Sequence, residues 1–200
     1  MKTRAILFRL GLGAAAVALL IASKATLADN AKDVEEGLQK LHAANQLEIN
    51  AGRVALQKGT SPQVKSFAQR MIDDHTKNDA ELAQIAENKG IAITGKDFDR
   101  QVKSGQGELD RLQKGSGERF DRAYMDDMKR DHEKDLKALR KLTEKAEDPG
   151  VKSFLQQTDA TVADHLEHAK STLTALESRT ANRHQLTSPG TAPTGAGVGE

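Results

Sequence analysis

The sequence predicts an all-α protein of four long helices, arranged as two hairpins joined by a long crossover connection. Composition points that way first. Residues are 37% hydrophobic and 30% charged, with one Tyr, no Trp and five Phe, which leaves little material for a sheet. Apolar residues recur every three or four positions, the helical period. A heptapeptide also recurs, as SPQVKSF at 61–67 and DPGVKSF at 148–154, opening the second helix of each hairpin and suggesting an internal duplication. At 200 residues the chain is long enough to bury one real core.

Residues 1–28 read as a secretory signal peptide. Lys2, Arg4 and Arg9 start it, Leu10 to Ala22 form a 13-residue apolar run, and small residues lead to a cleavage site after Ala28 or Ala25. The run falls short of the roughly 20 residues that span a bilayer. Removing Lys2, Arg4, Arg9 and Lys24, and no acid, turns a net charge of +1 into −3. That balance, with so few aromatic residues for base stacking, argues against a nucleic-acid partner. Without any Cys the mature protein has no disulfide and no site for a lipoprotein anchor. A periplasmic or secreted protein is expected, whose partner would be an envelope protein or a second copy of itself.

The first helix is expected over 33–58, ending at Gly59, and the second over 62–89, ending at Gly90, with both glycines as left-handed C-caps. A third runs over 117–146 and a fourth over 149–178. Ser61-Pro62 and Asp148-Pro149 each set a capping side chain before a proline at the first helical position. Residues 90–116 are too long for a tight turn and can travel the length of a bundle, with a short helix over Glu108–Lys114. One long crossover of this kind is the ferritin-like connection. The domain is thus expected over 29–178, followed by a disordered tail over 179–200 that ends SPGTAPTGAGVGE.

Three buried stripes are each interrupted by one histidine. They read Val64, Phe67, Met71, His75, Leu82, Ile85; then Phe120, Tyr124, Met128, His132, Leu136, Leu139; then Val151, Leu155, Val162, His165, Leu166, Ala169, Leu173. The best face of the first helix is Leu38, Leu41, Asn45, Glu48, Gly52 and Ala55, with Glu48 inside it. Measured from the helix ends at 1.5 Å per residue, Glu48, His75, His132 and His165 fall within about 6 Å of one level. Metal sites in helical bundles are built from inward side chains of this kind on separate helices. These four are the candidate metal ligands, with Asp79, Asp135 and His168, one turn from the histidines, as a second tier.

Asp74, Asp131 and Asp164, each directly before a histidine, point about 100° around the helix. They are better placed to meet a neighbouring helix, solvent or the back of a ligand. Asp73, Asp126 and Asp127 are expected at the surface, and His42 and His184 are assigned no role. No nucleophile has a base and an orienting group at helical spacing, so no enzyme is expected.

The motifs Ala-Asn-Gln-x-Glu at 44–48, Asp-Asp-His at 73–75, Phe-Asp-x-x-Tyr at 120–124, Asp-His-Glu at 131–133 and His-Leu at 165–166 resemble, over about 33–178, a family of exported bacterial ferritin-like proteins known only as a domain of unknown function. The resemblance implies a periplasmic four-helix fold and supplies no activity. The wider ferritin-like superfamily uses Glu-x-x-His to hold two irons. Here the residues three before the core histidines are Ile72, Lys129 and Val162, so a His-rich site for Zn, Cu, Ni or one Fe suits the chain better. The sequence leaves three functions open: a non-enzymatic structural, interaction or stress-related protein of the envelope; a metal-binding or metal-sensing bundle; and an acid sensor whose imidazoles charge together near pH 5–6.

Overall fold

The computed structural model describes residues 13–187. Every regular element among them is helical: α1 (Gly13–Lys58), α2 (Pro62–Lys89), α3 (Lys96–Lys114), α4 (Gly117–Lys145) and α5 (Pro149–Thr187). Among the described residues the protein is therefore all-α, with five helices rather than four. α1 packs on α2, α2 on α5, α5 on α4 and α4 on α1, so four long rods close a ring; α3 lies outside it, chiefly along α1. Among the described residues no helix is long and apolar enough to cross a membrane.

Two helices outrun their expected limits. α1 begins at Gly13, because Ala- and Leu-rich sequence free of Gly and Pro continues up to Gly37. Residues 1–12 of the expected signal segment lie outside the described residues. α5 continues to Thr187, beyond the boundary expected at 178, tied to the start of α4 by Arg122–Glu177 at 3.2 Å and Arg183–Glu118 at 2.6 Å. The expected tail from 188 onward lies outside the described residues.

The crossover holds 19 helical residues, not a short turn of helix. Gly105 and Gly107 weaken the helical reading of this stretch, since each costs about 1 kcal/mol against Ala. Acids in the first turn (Asp97, Asp99) and bases in the last (Arg111, Lys114) offset that through the helix dipole. Gly105 also has a packing reason. A Cβ there would stand 2.4 Å from Leu47 Cδ1, so the missing side chain lets α3 close onto α1.

The helix ends follow the sequence in part. Asp148 caps α5 through Oδ1, which accepts from Gly150 N (2.9 Å) and Val151 N (3.0 Å). Gly90 is left-handed (φ 65°) and closes α2. Ser61, however, spends its hydroxyl on Gln63 (2.9 Å), and Gly59 is not left-handed. The α1–α2 turn is held instead by Asp121 of α4. Its buried carboxylate accepts from Thr60 N (2.9 Å), Thr60 Oγ1 (2.6 Å) and Ser61 N (2.8 Å). One acid thereby joins the first hairpin to the second.

The interior is two apolar clusters rather than one. One gathers Val64, Phe67, Met71, Phe120, Tyr124 and Met128 with their neighbours. The other gathers Leu38, Leu82, Leu136, Leu139, Phe154 and Leu155 with theirs. His75, His132 and His165 sit on the helices between them, in the order the three stripes predict.

Candidate metal centre

His75 on α2, His132 on α4 and His165 on α5 reach the centre of the ring because each continues an apolar stripe at helical spacing. They are 8%, 1% and 0% exposed. Their ring centroids stand 6.0 Å (75–132), 5.4 Å (75–165) and 5.5 Å (132–165) apart, and one ring nitrogen from each lies within 4.8 Å of the other two.

The outward nitrogen of each ring has a partner. His75 Nδ1 meets Asn45 Oδ1 at 2.9 Å, His132 Nδ1 meets the Met128 carbonyl at 2.8 Å, and His165 Nε2 meets Asp74 Oδ2 at 2.8 Å. All three partners are oxygen acceptors, so those nitrogens carry the protons. The opposite nitrogens, His75 Nε2, His132 Nε2 and His165 Nδ1, are then lone-pair bearers. They are buried and have no hydrogen-bond partner. The tautomers are fixed from behind, as in metal-bound histidines, whose second nitrogen donates to a carboxylate or carbonyl.

Electrostatics hold the rings neutral. Burial pushes His75 well below the usual imidazole range, with His132 and His165 adding to it. Burial and then His165 bring His132 down to about 4, against a smaller upward pull from the Met128 carbonyl. Burial also lowers His165, partly offset by Asp74. Burial raises Asp74 itself, but His165 and Arg70 outweigh it, so its carboxyl stays ionised and below its ordinary value. Neutral imidazole is the form that binds a metal.

Beside His75 and His165 lies a cavity of about 20 Å³, also lined by Asn45, Asp74, Asn78, Asp135 and Thr158. That is room for about one water among polar groups. Three imidazoles with a water as fourth ligand would match the tetrahedral pattern of three protein ligands plus water. With metal–nitrogen bonds of about 2.0–2.1 Å, the ring nitrogens would draw together to roughly 3.3 Å.

The remaining predicted ligands lie elsewhere. Glu48 is buried but is not one of the converging groups. It lines a separate cavity of about 60 Å³ with Glu108, Leu109 and Leu112 of α3 and Met128. Its Oε2 has no partner, and burial, then Asp135 and Asp131, raise its carboxyl well above the usual range. Asp79 is engaged by His42 Nδ1 at 2.6 Å and Asn45 at 3.3 Å, and His42 stacks on Phe98 of α3. His168 is half-buried and packs edge-on to Phe67. Asp135 lines the small cavity without joining the three nitrogens, and burial followed by Asp131 raises it to about 6.

Sequence reasoning missed two groups. Asp127, expected at the surface, is buried between Arg111 of α3 and Arg130, whose Nη1 donates at 2.7 Å. Tyr124, read as core, keeps a buried hydroxyl without a partner; burial and then Glu48 raise its pKa well above the usual value. Asp127 thus draws one arginine from α3 and one from its own helix, three residues on.

A family described as a domain of unknown function, DUF4142, matches residues 20–172, and the chain belongs to it. No curated protein and no solved structure shows significant similarity to the chain.

Proposed function

Taking the chain as a DUF4142 protein, we propose that it is a metal-binding helical bundle of the bacterial envelope that holds one transition-metal ion on His75, His132 and His165. One observation carries the reading: three buried, unpartnered ring nitrogens converge, and each ring is oriented from behind by an oxygen acceptor. A purely structural histidine gains nothing from an inward lone pair with no donor, since burying it unpaired costs about 1–3 kcal/mol. The donor set favours Zn, Cu, Ni or a single Fe over Mg or Ca. Glu48 is left out of the ligand set and water takes the fourth position.

A ferritin-like ancestry fits this reading. The closed ring of four long helices and the long connection after the first hairpin support it. The expected signal segment at 1–28 supports an exported location. Equilibrium dialysis of the tag-free protein against Zn, Cu, Ni and Fe, with metal counted per chain, tests the site. One ion per chain at micromolar metal is expected, lost in His132→Leu; no stoichiometric uptake by the folded protein refutes it.

A further inference from the structure

A groove of about 390 Å³ runs between α1 and α4. Small residues help line it, Gly37 and Ala44 on α1 and Ala138 on α4, and Leu142 of α4 packs against Gly37, where a Cβ would stand 2.4 Å from Leu142 Cδ1. Its floor is apolar, made by Leu41, Leu139 and Leu142. Four lysines stand around it, Lys40, Lys134, Lys141 and Lys145. Lys145 is paired with Asp33, and Lys40 with Asp97 at 3.4 Å. Lys134 and Lys141, two turns apart on one stripe of α4, make no ion pair with any described residue. The volume is within the range of small-molecule sites, which combine an apolar lining with a few placed polar groups.

We propose that this groove binds a single-chain anionic amphiphile of the fatty-acid class. The carboxylate sits on Lys134 and Lys141 and the hydrocarbon chain lies over Leu41, Leu139 and Leu142. Charge selects the occupant. A neutral chain would leave the Lys134 and Lys141 ammonium groups unused, and a cation would meet these two lysines, the other two being held by Asp33 and Asp97. Asp33, Glu36 and Asp135 are the acids of the lining, and the Asp33 carboxylate is already neutralised by Lys145. Leu41, Ala44, Asp135 and Leu139 also line the small cavity beside His75 and His165, so the groove floor is the outer wall of the histidine centre. The groove itself requires no metal, and the proposal stands or falls separately from the metal reading.

Calorimetric titration of the full chain with laurate, in EDTA, tests it, with dodecanol as the uncharged control. Saturable one-to-one binding of laurate is expected, at least ~10-fold tighter than dodecanol and weakening with salt. Lys134→Glu/Lys141→Glu should lower laurate affinity by at least ~10-fold. Both positions are exposed, so the fold should be unaffected. Ala138→Phe, also at an exposed position, should fill the groove and abolish binding without altering the circular dichroism. Binding of dodecanol equal to laurate, or laurate binding unchanged in both variants, overturns the proposal. So does a groove occupied by a second copy, seen as a concentration-dependent dimer that Ala138→Phe dissociates while laurate has no effect on it.

Discussion

His132 and Asp135, one turn apart on α4, should drive stability in opposite directions as pH falls. The His132 imidazole has a folded pKa of about 4 against an ordinary 6.5. Above pH 6.5 it is neutral in both states and adds no pH dependence. As pH drops below 6.5 the unfolded chain takes a proton that the folded core refuses, so stability is lost until about pH 4. The total is about 3 kcal/mol. Asp135 has a folded pKa of about 6 against 3.8. Above pH 6 it is ionised in both states; below 6 only the folded chain is protonated, so stability is gained, again by about 3 kcal/mol near pH 4. His75 and His165 share the sign of His132. Glu48, raised by burial and then Asp135, shares that of Asp135, as does Glu108, which burial and then Asp131 raise to about 7. The two sets offset each other, so the metal-free protein should respond to acid weakly between pH 7 and 5, not open sharply near pH 5–6. Urea unfolding in EDTA from pH 7.5 to 4.5 checks this with His132→Leu and Asp135→Asn, each compared with the wild type. His132→Leu should gain on the wild type toward low pH and Asp135→Asn should lose ground, by about 2–3 kcal/mol each. Difference profiles that are flat, or that share one sign, would refute the reasoning.

Asp74→Ala should leave the metal-free fold intact and lower metal affinity about 10–100-fold, read by competition with a chromophoric chelator, because His165 loses the acceptor that orients it. Asp121→Ala strips the α1–α2 turn of its buried acceptor and should cost about 3 kcal/mol or more in urea unfolding. Gly52→Ala would place a Cβ 2.8 Å from Ile72 Cγ1 and 3.0 Å from the Ala68 carbonyl, so α1 and α2 must separate; a loss of about 1–3 kcal/mol in the same assay is expected.

The helices were legible wherever period and punctuation agreed. α2 runs over the expected 62–89, and the apolar residues of the three histidine stripes are buried except Ile85, which is half-buried. The same stripes located the three histidines, because an inward position at a known height is a local property of the sequence. Glu48 shows the limit. A ruler along the axis gives its height, but which neighbour it faces depends on α3 packing beside α1, and glycines at 105 and 107 obscured α3. Caps were legible only when intrinsic: Asp148 caps its own helix, whereas the residue that holds Thr60 and Ser61 lies some sixty positions away in Asp121. Asp127 hid in part for the same reason: Arg130 lies three residues on in its own helix, but Arg111, which covers it from the other side, belongs to another helix.

A polar storey at mid-height leaves the oily interior as two rooms with a shared partition, so melting one need not empty the other. Amide exchange should therefore report two distinct opening energies, one for each end of the barrel. An ion gripped by three of the four rods at the partition would bolt both rooms together and turn two loosely coupled halves into a single cooperative unit.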